Sequence, residues 1–110
     1  MTELQNLFLI EVVLAAVAVP LIRGWIPPNR LYGFRTEEAL STPDIWYPAN
    51  RALGWSLLVA AVAALAFGLT LLAVFPEWPA ERMATWMKGG LACAILLGVV
   101  ASIRYYVKRL

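Results

Sequence analysis

Three long apolar runs decide what this chain can fold into. Leu4–Ile22 contains one full charge, Glu11; Ala52–Phe75 contains none; Gly89–Val107 holds only Arg104, near its end. At about 1.5 Å of rise per residue, each run is long enough to cross the roughly 30 Å hydrocarbon core of a bilayer as a helix. The first run is not read as a signal peptide. It lacks a basic leading region, its apolar part is too long, and the chain keeps Met1. The composition agrees: 62% of residues are hydrophobic and 15% charged, with a mean hydropathy of +0.73. Soluble domains run at about 45–50% apolar and about 25% charged. The expectation is an all-α fold, a three-helix transmembrane bundle forming one membrane domain over residues 1–110. Its spans are 4–22, 52–75 and 89–107, its outer loop is 76–88, and a long structured cytoplasmic loop covers 23–51.

Charge placement predicts the orientation. Arg23, Arg30, Arg35 and Arg51 flank or occupy the first loop, and Arg104, Lys108 and Arg109 close the chain, whereas the second loop holds only Arg82 and Lys88. Basic residues close to helix ends favour the cytoplasm, so the first loop and the C-terminus are expected inside and the N-terminus outside.

Chemistry is sparse. There is no histidine, a single cysteine (Cys93), and a net charge of +2. These remove the usual general base, multi-cysteine metal sites and internal disulfides, and leave too little charge for a nucleic-acid binder. No Gly-rich phosphate loop or Ser/His/Asp set occurs, and the paired carboxylates Glu37 and Glu38 read as exposed. The expectation is a protein that is not an enzyme and uses no cofactor or metal.

The first loop is the informative segment. Pro27 and Pro28 end the first helix, because proline lacks an amide donor and restricts the residue before it. Asn29–Phe34 suits a tight turn around Gly33. Thr36 with Glu37 and Glu38 resembles a helix start, and Thr42-Pro43-Asp44 is a second one. A short amphipathic segment with Ile45, Trp46 and Tyr47 then leads toward the second span, with a kink expected at Pro48. Trp25, Tyr32, Trp46, Tyr47 and Trp55 fall where a cytoplasmic aromatic belt is expected.

The run Pro27-Pro28-Asn29-Arg30-Leu31-Tyr32-Gly33-Phe34-Arg35-Thr36, followed by Trp46 and then Ala49-Asn50-Arg51, resembles the signature of the SdpI-type immunity proteins of bacterial membranes. That signature is Pro-Asn, two or three residues, Gly-hydrophobic-Arg-Thr, about nine residues, Trp, then Asn-Arg entering a helix. It covers about a quarter of the chain, and the helical layout extends the likeness over nearly all of it. Some members carry further spans before this unit. The resemblance implies a bacterial cytoplasmic-membrane protein giving immunity to a secreted peptide toxin, or sensing one and recruiting a repressor. On that resemblance Asn29, Gly33, Arg35, Thr36, Trp46, Asn50 and Arg51 are candidate ligand- or partner-binding positions. Physically, the asparagines suit cross-linking a loop to a helix end, and Arg35 suits an acidic residue, a lipid phosphate or a partner's carboxylate. Fixing the loop's shape is the favoured role over direct recognition, and Trp46 is read first as an interface anchor.

Within the spans, Glu11 stands about 10 Å below the start of the first helix, where a carboxyl group faces protein or water and often marks function. Thr70 is its expected depth match on the antiparallel second helix, and a protonated Glu11 is expected to donate to Thr70 or to a backbone carbonyl. A packing hydrogen bond or an upward-snorkelling side chain is weighed against a proton-linked or partner-contacting site. Gly90, Ala94, Gly98 and Ser102 recur every four residues on the third helix, and Ala60, Ala64 and Gly68 form a similar stripe on the second. Such stripes let helices approach closely, and they are expected to face each other within one monomer rather than make a homo-oligomer. Cys93 beside them reads as a small buried apolar residue. Trp78 and Trp86 suit the outer interface.

Three functions remain in order of preference: an immunity or toxin-responsive protein; an accessory subunit docking into a larger membrane complex through the small-residue faces and aromatic loop; and a small transporter or lipid-handling protein using Glu11. Beyond the bilayer, the partners are a peptide toxin or that complex. The orientation is testable first. In a Cys93→Ala background, Ala39→Cys should be shielded from an impermeant thiol reagent in intact cells and Ala80→Cys labelled. The opposite pattern overturns the topology.

Overall fold

The computed structural model describes residues 2–29 and 43–109. They form three α-helices and no strand: α1 over Glu3–Arg23, α2 over Pro43–Val74 and α3 over Ala80–Arg109. Each is long and apolar enough to cross a membrane, and the chain is a multi-pass membrane protein of three alternating helices. α1 opens with a capping box: Thr2 Oγ1 accepts the Gln5 amide at 3.2 Å, and Gln5 Oε1 accepts the Thr2 amide at 3.0 Å. It ends on Gly24, whose φ of 72° lies in the left-handed region. The amides of Gly24 and Trp25 turn back to the carbonyls of Leu21 and Pro20, the paired bonds of a Schellman ending.

The long first loop is corrected by this structure. Pro43–Arg51, expected as loop, is the beginning of α2, so the connection between helices is confined to residues 24–42. Proline at the first helical position starts the helix early. Pro48 does not interrupt it, because the one backbone bond it forfeits is to the carbonyl of exposed Asp44, in the first turn. The other start signal, Thr36-Glu37-Glu38, and the turn around Gly33 lie outside the described residues. At the second connection the helix begins at Ala80, so residues 80–88 are also helical. The 32 residues of α2 make about 48 Å of helix, which outruns the hydrocarbon and lifts its first turns beyond it.

α2 is the central element. It packs along both neighbours, whereas α1 and α3 touch little. Small residues line much of the α1–α2 seam, and many large ones face outward. Ala18, Gly54, Ala60, Ala61 and Ala64 are buried, while Leu96, Leu97, Val12 and Val59 are exposed, as suits a bundle whose solvent is lipid. Without a hydrophobic drive between helices, close backbone approach supplies the contact energy. Among the glycines, the closest approach to another helix's backbone joins α1 to α2 at Gly54, where an added Cβ would lie 2.9 Å from the Ala18 carbonyl and 2.8 Å from Ile22 Cγ1.

The two stripes face the bundle's own helices, although each meets larger side chains rather than the other stripe alone. Gly98 and Ser102 face Ser56 of α2: a Cβ at Gly98 would sit 3.1 Å from the Ser56 carbonyl. The buried Ser102 hydroxyl donates to the Gly98 carbonyl at 2.9 Å and lies 3.0 Å from Ser56 Oγ. Gly90 lies under the Phe67 ring, and Gly68 under Met87. Ala64 joins Leu7, Leu71, Met83, Met87 and Leu91 in one buried cluster. Ala60 and Ala94 line an open groove between α2 and α3. Cys93 corrects its expectation. It is exposed: at about 100° per residue it is turned away from Ala94, and it lies with Gly90 and Phe67 on an open recess.

Glycines of similar sequence context therefore differ sharply. Gly54→Ala should lower the thermal unfolding midpoint in detergent and cost about 1–3 kcal/mol, because the backbone of α1 must move away. Gly89→Ala meets nothing within 4 Å and should be neutral or stabilise by up to about 1 kcal/mol through helix propensity. Equal effects would remove Gly54 as the contact point.

Candidate functional site

At one end of the bundle, residues of α2 fasten the end of α1. Trp46, in the second turn of α2, is fully buried, and its Nε1 donates to the Ile26 carbonyl at 2.7 Å. One turn further on, Asn50 is buried and its Nδ2 donates to the Trp46 carbonyl at 3.0 Å. Arg51 Nε donates to the Ile22 carbonyl at 3.1 Å, one of the carbonyls that a helix end leaves without an internal partner. Asn29 Nδ2 donates to the Pro27 carbonyl at 2.8 Å, closing the turn that follows. Tyr106 of α3 packs on Trp46 and Ala49, with Ile26, Ile45 and Tyr47 around them.

This arrangement is a clasp. The spacing Trp-x-x-x-Asn-Arg places Trp46 and Asn50 on one helix face, one turn apart, and sets Arg51 beside them toward α1. Trp46 is not the interface anchor expected from its neighbours: it is 0% exposed. Buried indole N–H groups find acceptors, and the peptide leaving α1 supplies one. Trp25 and Trp55, at 65% and 52% exposed, are free to take the belt role. Gly33, Arg35 and Thr36 lie outside the described residues.

Glu11 is the second feature. It is only 5% exposed, and its Oε2 has no hydrogen-bond partner among the described residues. A recess of about 140 Å³ adjoins it, lined by Phe8, Val12, Ala15, Ala61, Val62 and Leu65. Thr70 is not its partner. That residue is exposed, and its hydroxyl donates to the Ala66 carbonyl at 2.7 Å within α2. The antiparallel register explains the difference. Ala18 faces Gly54 and Ile22 meets Arg51, so Glu11, seven residues before Ala18, falls beside Ala61, seven residues after Gly54. Thr70 lies two and a half turns further on, close to the end of α2.

At the opposite end, Lys88 of α3 pairs with Glu3 of α1. Trp78 stacks on Phe75 at a centroid distance of 4.4 Å, with the Arg82 guanidinium 5.6 Å from its ring and Trp86 at 6.0 Å. Sequence reasoning overlooked Gly54, Ser56, Met83, Met87 and Tyr106. The four-residue spacing of Met83, Met87 and Leu91 was the available signal for part of this set. Among the described residues no group of His, Cys, Asp and Glu suits a metal ion.

Two substitutions separate the clasp from the buried carboxyl. Trp46→Phe keeps most of the ring and loses the N–H, leaving the Ile26 carbonyl without that donor, and should destabilise by about 1–3 kcal/mol. Glu11→Leu removes an unpartnered polar group and should stabilise by a similar amount. Thermal unfolding in detergent reads both. A destabilised Glu11→Leu would show that the carboxyl makes a bond the fold requires.

No curated protein and no solved structure matches the chain. The family model described as the SdpI/YfhL protein family matches residues 26–106, a segment that begins at the Trp46 acceptor and ends at the Tyr106 that packs on its ring. The chain belongs to the SdpI/YfhL family.

Proposed function

We propose that this small SdpI-type membrane protein protects a bacterial cell against a secreted peptide toxin, or senses one, at the cytoplasmic membrane. In this reading the N-terminus is outside, the signature connection and the C-terminus are cytoplasmic, and the protein acts by binding rather than by catalysis. One observation carries the division of labour within the signature. Trp46, Asn50 and Arg51 are engaged in the clasp, so they position the connection, and contact with a partner falls to Gly33, Arg35 and Thr36. Asn29 closes the turn that leads to them.

A second reading, an accessory subunit of a larger membrane complex, is supported by a different feature. A groove of about 440 Å³ between α2 and α3 is open to lipid and lined by small residues including Ser56, Ala60, Ala63, Ala94 and Gly98. Such a surface suits a partner helix. A stoichiometric protein retained through mild purification would favour this reading, whereas toxin survival without one favours immunity.

The roles within the signature are separable by mutation. Arg35→Ala should abolish survival against the cognate toxin at normal membrane abundance. Arg35→Lys should fail almost as badly, since lysine lacks the planar bidentate fork. Rescue by lysine would indicate a simple headgroup contact. Asn50→Ala should instead lower abundance, because it removes a buried hydrogen bond in the clasp. Loss of abundance in the Arg35 variants too would make the whole signature structural and leave the recognition role unsupported.

A further inference from the structure

We propose that the groove between α1 and α2 at the clasp end is a binding site for one anionic phospholipid. The groove holds about 520 Å³, and its lining divides into two parts. Val19, Ile22 and Leu58 make an apolar wall along the helices, and Arg23 and Arg51 stand at its upper end, with Trp55 between the two zones. Both arginines are exposed, and Trp55 is 52% exposed. Among the described residues the one salt bridge is at the far end of the bundle, between Lys88 and Glu3, so no described carboxylate neutralises either guanidinium.

The clasp itself prepares the site. Arg51 is held by its Nε bond to the Ile22 carbonyl, which leaves its terminal Nη groups as donors in a fixed place. Arg23 belongs to the last turn of α1, which that same bond ties to Arg51. Two guanidiniums above an apolar wall match a phosphate carrying an acyl chain: the guanidiniums donate to phosphate oxygens and the wall packs on the chain. A free phosphate would satisfy the arginines and leave the wall uncovered, which is why the lipid is the occupant. The proposal stands independently of the toxin reading.

The test is thermal unfolding of the purified full chain in a neutral detergent, with added phosphatidylglycerol, phosphatidylcholine or glycerol phosphate. Phosphatidylglycerol should raise the midpoint saturably, and the other two should leave it nearly unchanged. Arg23→Gln should raise the half-saturating phosphatidylglycerol concentration about fivefold, the worth of one cation beside a headgroup, and Arg23→Lys should restore most of it. Val19→Trp, which fills the groove from an exposed position and keeps both arginines, should weaken the effect as well. Equal stabilisation by phosphatidylcholine, the full effect from glycerol phosphate, or an undiminished response in both Arg23→Gln and Val19→Trp would overturn the proposal.

Discussion

Helices surrounded by lipid gain little from hiding apolar side chains, because the solvent is as apolar as they are. What holds this bundle together is how closely backbones approach, and among the glycines the closest to another helix's backbone is Gly54 against the Ala18 carbonyl. Everything at the α1–α2 interface takes its register from that crossing. It sets Ile22 under Arg51 and Glu11 beside Ala61. It also brings the end of α1 within reach of Trp46. Since α1 touches α3 little, this seam secures the first helix, together with the Glu3–Lys88 ion pair to α3 at the opposite end.

The membrane fold was legible in the sequence because hydropathy and length alone select spanning helices. Helix extents beyond the spans were less so. Pro43 was legible as a helix start, and α2 begins there; Pro48 reads as a break in a one-dimensional scan, yet so near a helix start it forfeits little, and α2 runs through it. The small-residue stripes were visible, but their partners were not. A spacing of four identifies a face without saying what lies opposite, and here Phe67, Ser56 and Met87 fill the gaps. Cys93 went wrong for a related reason: one residue of offset turns a side chain from the seam to the lipid.

The signature was legible as a pattern and ambiguous as chemistry. Aromatic residues near a membrane boundary normally anchor to it, and nothing in the order of letters separates Trp46 from Trp25 or Trp55. The distinction comes from the early start of α2, which rotates Trp46 inward beneath the peptide that leaves α1. Glu11 shows the converse. Its presence in a span marked it correctly as unusual, but its surroundings depend on a register that the sequence does not spell out. The structure places it against apolar neighbours, where the fold carries it at a loss.

The contact of Tyr106 with Trp46 and Ala49 bears on the order of events during synthesis. Tyr106 stands sixty positions after Trp46 and fifty-seven after Ala49, so the first two helices are made before the aromatic that covers the clasp exists. Chains are assembled from the N-terminus forward, and until the last turns of α3 arrive the Trp46 pocket is left with one side open. The family's most distinctive residues are thus completed last. A chain ended short of Tyr106 leaves the signature end unsealed.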